Sequence, residues 1–235
     1  MKIPPKNQEL FTELINKSTL KQQVYKVTLE SFNNLKEVID QYVVNFKQFS
    51  NSRKDAPAIL FESDSHGQFE IELKFGSDIL IFMMHSNVFE FARDHEVMKT
   101  GYVKKDKTRS YHGIINIYNF LADSFKYNRI NDVGYLIGRV FINKDNCFFI
   151  EGKRELSYLF NYFGSKKFDN ESMNELVDAS IRYAINFDLL TPHYDLVKEV
   201  SVVEMKNAVD TISLKTGKRL GFRFQSDDQN FNHKK

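Results

Sequence analysis

Apolar and polar residues alternate at helical spacing through the first 50 residues. The pattern predicts a short helix over residues 7–16. Thr19 and Gln22 then form a capping box, in which each side chain satisfies a free backbone N–H at a helix start. A second, longer helix is therefore predicted over residues 20–49.

The longer predicted helix carries a seam of apolar residues spaced alternately three and four positions apart, which is the spacing of a heptad repeat. The seam consists of Phe32, Leu35, Ile39, Tyr42, Phe46 and Phe49. Such a seam packs either on a sheet of the same chain or on a helix of a second copy. The sequence leaves both alternatives open, so residues 20–49 are also a candidate dimer contact.

Strand patterns follow the helices. Phe69, Ile71, Leu73 and Phe75 alternate with charged residues, which is the period of a strand with one buried face. Polar turn residues separate several such runs. The predicted strands lie near residues 58–86, 111–119, 133–151 and 200–224.

Two further helices are predicted in the second half of the chain, over residues 153–163 and 171–190. Together the elements predict an α+β fold, with a mainly antiparallel sheet covered by the long N-terminal helix and by the helix at 171–190. Three segments are expected, which can belong to one domain. They are an N-terminal helical segment (1–50), a sheet core (51–165) and a helix with a β-hairpin (166–235).

Composition narrows the class of protein. The chain has 235 residues and is 42% hydrophobic, which excludes disordered and fibrous classes. A net charge of +2 argues against an electrostatic commitment of the whole protein to nucleic acid or to a membrane. The charge is unevenly divided, because residues 1–98 carry a net charge of −3 and residues 99–235 a net charge of +5. Any anionic partner is therefore expected at the second part.

Cysteine use and hydropathy predict the compartment. The single cysteine, Cys147, can form no internal disulfide, which fits a reducing environment. The longest uninterrupted apolar run, Ile79–Met84, is far shorter than the roughly 20 residues that cross a bilayer. The first residues have no apolar stretch typical of a secretory signal. We therefore expect a cytoplasmic protein that makes no membrane contact.

One triplet suggests metal-dependent chemistry. Glu204 and Lys206 follow an apolar stretch, and a strand would place both on one face, where the carboxylate can hold a divalent metal beside the amine. This triplet resembles the last part of the motif of PD-(D/E)xK nucleases, a family of metal-dependent phosphodiesterases. The resemblance implies catalytic roles for Glu204, Lys206 and an upstream aspartate, Asp195, with Mg²⁺ as cofactor.

A basic and aromatic stretch over residues 99–112 carries a net charge of +4. Lysine and arginine contact phosphates, and interleaved tyrosines can stack on bases. The stretch is therefore a candidate surface for nucleic acid or another anionic ligand. Its candidate ligand-binding residues are Lys99, Tyr102, Lys104, Lys105, Lys107, Arg109 and Tyr111.

Other catalytic motifs are missing from the sequence. It contains no Walker phosphate loop, no dinucleotide-binding glycine motif and no Gly-x-Ser-x-Gly nucleophile motif. The histidines form no close pair such as His-x-x-x-His, so no metal site is predicted from them. The sequence therefore favours a non-catalytic binding or assembly module without a cofactor. The divalent-metal nuclease is the alternative.

Overall fold

A seven-stranded antiparallel sheet forms the centre of the computed structural model, which describes residues 5–53, 59–130, 132–153, 156, 163–203 and 205. The strands are β1 (Phe61–Asp64), β2 (Glu70–Phe75), β3 (Asp78–Met84), β4 (Phe89–Glu90), β5 (Tyr111–Leu121), β6 (Tyr135–Asn143) and β7 (Phe148–Gly152). They lie in the order β1-β2-β3-β5-β6-β7, and β4 pairs with the start of β5. All pairs are antiparallel, so the predicted antiparallel sheet is confirmed.

Five α-helices have both ends inside the described residues. They are α1 (Pro5–Asn51), α2 (Gly101–Lys105), α3 (Ala122–Lys126), α4 (Asn170–Ile185) and α5 (Tyr194–Val197). None of the helices that the structure describes combines the length and the apolar character needed to span a bilayer.

α1 is one continuous helix of 47 residues, so the predicted break between residues 16 and 20 is wrong. The sequence contains neither glycine nor proline between Lys6 and Asn51. A break would leave the last carbonyls of one helix and the first N–H groups of the next without helical partners. Capping at Thr19 satisfies only one or two of these groups, so the uninterrupted helix is more stable.

The core lies between one face of the sheet and the two long helices. α1 packs on β1, β5 and β6, and α4 packs beside α1 and against β3. Phe32, Leu35 and Ile39 of the predicted seam are fully buried there, whereas Phe49 is 56% exposed. The central part of the seam therefore belongs to the protein's own core. The predicted covering of the sheet by a long N-terminal helix and a helix of the C-terminal half is confirmed.

α1 crosses the sheet in close contact at Gly113 on β5. A Cβ atom at this position would lie only 2.2 Å from the Oγ1 atom of Thr28, which is itself fully buried on α1. The Thr28 hydroxyl donates a hydrogen bond to the Val24 carbonyl, 2.8 Å away, and so stays in place. Glycine at position 113 thus allows the helix to approach the strand.

Gly113→Ala should lower the free energy of unfolding by about 1–3 kcal/mol, because the added methyl group overpacks the contact with Thr28. Urea denaturation measures the change. In the double variant Thr28→Gly/Gly113→Ala, the alanine substitution should cost less than it does alone, since the opposing side chain is gone. Strict additivity of the two costs would contradict close contact at this position.

The opposite face of the sheet carries a smaller aromatic cluster. Strand alternation sends Val140 and Ile142 of β6 towards the helices and Phe141 towards the other side. Phe149 on β7 stacks on Phe141 with ring centroids 4.8 Å apart. The buried members of this cluster are Phe91, Val97, Val103, Phe141 and Phe163. The cluster anchors the segment between β4 and β5, where the candidate ligand residues lie.

The strand predicted near residues 200–224 and the helix predicted over 153–163 are only partly covered by the described residues. Val202, Val203 and Met205 are helical, so the strand predicted to start near residue 200 is wrong over these residues. Residues 206–224 of the same prediction lie outside the described residues. Of the helix predicted over 153–163, the structure describes Lys153, Leu156 and Phe163, and Leu156 is helical.

Candidate functional site

The segment between β4 and β5 folds into three short turns, which we call the basic loop (residues 96–110). A 3₁₀ turn at Glu96–Lys99, helix α2 and a second 3₁₀ turn at Lys107–Ser110 follow one another. Each begins with a side-chain cap, supplied in turn by His95, Thr100 and Asp106. Polar residues therefore build a compact segment here, because they satisfy the free N–H groups at each turn.

The basic loop has an apolar side and a charged side. Val97 and Val103 are buried in the aromatic cluster on the sheet. The lysines at positions 99, 104, 105 and 107 are all exposed. None of the four forms an ion pair with a carboxylate in the part of the chain that the structure describes. Their ammonium groups therefore face the solvent, beside one exposed acid of the loop, Glu96.

Tyr102 faces inwards from α2. Its hydroxyl donates a hydrogen bond to Asp145 Oδ2 at 2.8 Å and accepts one from Asn143 Nδ2 at 3.1 Å. Its ring meets Phe163 edge to face, with centroids 5.6 Å apart. Burial and the hydrogen bond to Asp145 are among the causes that raise the pKa of the Tyr102 phenol above its usual value. Tyr102 is thus bound to the β6–β7 turn.

Arg109 closes over the same tyrosine. Its Nε donates to Asp145 Oδ2 at 3.0 Å, and its Nη1 donates to the Tyr102 carbonyl at 3.0 Å. The guanidinium lies 4.3 Å from the centroid of the Tyr102 ring. Through these two hydrogen bonds and the ring contact, Arg109 neutralises Asp145 and holds the loop to the β6–β7 turn.

Asp106, the single acid within residues 99–112, is also neutralised by a contact within the protein. Lys144 Nζ lies 2.7 Å from Asp106 Oδ2, and Thr108 donates to Oδ1 of the same carboxylate through its backbone N–H. Hydrogen bonding to Lys144, followed by that to Thr108, holds the pKa of Asp106 well below its usual value. Asp106 therefore cancels the charge of Lys144 rather than that of an exposed lysine.

Tyr111 connects the start of β5 to α1. It is 8% exposed, and its hydroxyl donates to Glu90 Oε2 at 2.6 Å. Lys17 Nζ on α1 forms a hydrogen bond to the same hydroxyl. This hydrogen bond to Tyr111 is the main cause that raises the pKa of Lys17. Tyr111 thus has a structural role in holding α1 against the start of β5.

The structure therefore divides the seven predicted ligand-binding residues into two groups. Tyr102, Arg109 and Tyr111 are occupied by contacts inside the protein, and Lys99, Lys104, Lys105 and Lys107 face the solvent. No protein-family model matches the chain, and searches of curated proteins and of solved structures find no significant match. Function is therefore inferred from the geometry of this chain alone.

The residues that position the basic loop were not predicted as part of a site. Asn143 at the end of β6 and the adjacent Lys144 and Asp145 hold Tyr102, Asp106 and Arg109 in place through their side chains. Charge was the available signal. Asp106 is the lone acid among five basic residues, and Asp145 is the lone acid of the β6–β7 turn, so both are expected to form ion pairs. The sequence does not show with which basic residues these pairs form.

The three candidate nuclease residues are only partly described. Asp195 lies on α5 with an exposed carboxylate, and its Oδ1 accepts a hydrogen bond from Lys198 Nζ at 3.2 Å. Glu204 and Lys206 lie outside the described residues, so the nuclease alternative stays a prediction. The described residues contain no group of three or more His, Cys, Asp or Glu side chains that could hold a metal ion.

A cavity of about 470 Å³ lies at the opposite end of the sheet from the basic loop. It is formed by the β2–β3 turn, the end of β5 and the end of α4. Its charged lining residues are Asp78, Asp123, Asp188 and Arg129. Because acidic groups outnumber the single arginine, this cavity does not extend the basic surface. The two ends of the sheet differ in charge.

Proposed function

We propose that the protein is a cytoplasmic, non-catalytic module that binds nucleic acid through Lys99, Lys104, Lys105 and Lys107. The observation that supports this proposal is the division of charge in the basic loop. Asp106 and Asp145 are paired with internal cations, and the basic loop keeps a net charge of +3, five basic residues against Glu96 and Asp106, so its four exposed lysines are available to an outside partner. A free, buried Cys147 agrees with a reducing compartment.

Lysines bind nucleic acid by replacing counterions along the phosphate backbone. The gain comes mainly from the release of those counterions, so it weakens as salt is added. Four contacts give weak, sequence-independent binding, with dissociation constants of about 10⁻⁴–10⁻⁶ M near physiological salt. The rigid scaffold of the loop assists, because Tyr102 and Arg109 fix the backbone that carries the lysines and reduce the ordering cost of binding.

Charge reversal tests the proposal. In the triple variant Lys104→Glu/Lys105→Glu/Lys107→Glu, binding to a fluorescein-labelled oligonucleotide should weaken by at least roughly tenfold at low salt. The magnitude of the slope of log K against log salt should decrease by about 2.7 on a duplex, since three phosphate contacts are lost. Fluorescence anisotropy measures both quantities.

A matched control separates local from overall charge. Lys21, Lys26 and Lys47 are exposed lysines on α1, and reversing all three changes the net charge by the same amount. This variant should keep most of the wild-type affinity. Equal loss in both variants, or no loss in the loop variant, would contradict the proposed surface. Cleavage of the oligonucleotide with Mg²⁺ or Mn²⁺ that Glu204→Ala abolishes would instead support the nuclease.

A further inference from the structure

We infer that the partner is a nucleic-acid duplex recognised through its phosphates alone, an inference that rests on the proposed function. The sequence combined lysines with tyrosines and so suggested contacts to both phosphates and bases. In the structure the two tyrosines are separated from the lysines, because they face the protein interior. What remains on the surface of the basic loop is mainly positive charge, with four exposed lysines against the exposed Glu96.

Single-stranded nucleic acid is usually held by aromatic rings on which successive bases stack. The ring of Tyr102 is enclosed by Arg109 and Phe163, and a Cβ atom at Gly164 would lie only 2.4 Å from its Cγ atom. Tyr111 is 8% exposed and has both its hydroxyl and its ring engaged with Lys17. Neither tyrosine presents a free face to an unpaired base.

The aromatic cluster beneath the basic loop offers no substitute. Phe91 and Phe163 are 7% and 8% exposed. Phe91 is also covered by the imidazole of His112, whose ring centroid lies 3.8 Å from its own. An unpaired base would have to displace these packed rings to stack. A duplex requires no such platform, since its bases are already stacked on one another.

The higher density of phosphate charge on a duplex also favours its binding to the closely spaced lysines of the basic loop. Lys99, Lys104, Lys105 and Lys107 lie within nine consecutive residues that form three short turns. Over any given length a duplex presents about twice as many phosphate charges as one strand. Four lysines that cluster this closely find more phosphates within reach on a duplex, and no base is needed for contact.

Paired titrations of one sequence test this inference. The full chain is titrated against a fluorescein-labelled duplex of about two turns, against its labelled single strand, and against a second duplex of shuffled sequence. We expect the duplex to bind more tightly than the single strand and the two duplexes to bind equally. The salt slope for the duplex should be about −3.6, and each single Lys→Ala change should reduce its magnitude by about 0.9.

The outcomes distinguish this inference from the proposed function. Equal or tighter binding of the single strand, lost in the triple lysine variant, would overturn duplex recognition and leave the basic surface in place. A large difference between the two duplexes would overturn recognition through phosphates alone. If none of the three probes binds at about 10⁻⁴ M protein in low salt, the proposed function fails and this inference fails with it.

Discussion

Phe32→Ala should lower the free energy of unfolding by about 3–5 kcal/mol. Phe32 is among the largest fully buried side chains, and it lies in the middle of α1 where the helix packs on the sheet. Removing the ring takes away its burial and leaves a cavity between two layers that cannot close on it. Because both the helix and the sheet depend on this contact, we expect one cooperative transition at a lower urea concentration.

Phe11→Ala is the matched control, since it makes the same substitution in the same helix. Phe11 is 45% exposed, so its loss should change the free energy of unfolding by less than about 1 kcal/mol. Urea denaturation followed by circular dichroism compares the two variants. Similar losses in both would mean that burial of α1 does not differ between its two parts, contrary to the structure.

Acidification should remove about 3 kcal/mol of stability between pH 6.5 and pH 4 through His112. This histidine is 3% exposed, and its ring lies between Phe91 and Phe141. Burial lowers its pKa to about 4, and the positive charges of His95 and Arg139 act in the same direction. Its Nδ1 lies 3.1 Å from the Ser110 carbonyl, which opposes the shift only in part.

The sign follows from linkage. The folded state favours neutral His112, whereas the unfolded chain accepts a proton below about pH 6.5. Its contribution is therefore fully present above about pH 6.5 and is lost as the pH falls towards 4. In His112→Phe the loss over this range should shrink by most of that amount.

Urea denaturation at several pH values provides the measurement. His85→Gln is the control, because His85 is exposed and forms no ion pair among the described residues. The control should retain the wild-type dependence on pH between 6.5 and 4. A wild-type dependence that persists in His112→Phe would show that other groups cause the acid sensitivity.

Much of the fold was predictable because its signals are local. Alternation at Phe69 to Phe75 fixed a strand, and the apolar spacing of Phe32, Leu35 and Ile39 fixed the buried face of a helix. The predicted break in α1 failed for a physical reason. A capping residue such as Thr19 shows only that a helix can begin there. Continuing the helix through Lys17 and Ser18 costs little helical stability, because no glycine or proline interrupts the chain.

The candidate site was less predictable, because side-chain direction depends on distant partners. Lys104 and Tyr102 are two residues apart on α2, so the helical period places them on opposite sides. Which side faces the interior depends on distant partners of Tyr102, among them Asp145, 43 residues away in sequence. Local composition therefore located the exposed lysines of the basic stretch, but it could not show that its aromatic residues contact the protein interior.

The length of α1 gives the molecule a helix of unequal local stability. From residue 24 to residue 43 one face of α1 is buried against the sheet, so we expect amide protons there to exchange only through global unfolding. Residues 7–17 are exposed on every side, and Lys17 at their end is hydrogen-bonded to Tyr111. An isolated helix of that length is marginal in water, so the first turns unwind independently and leave the rest folded. A protease that cleaves unfolded polypeptide should therefore cut α1 first in residues 7–17.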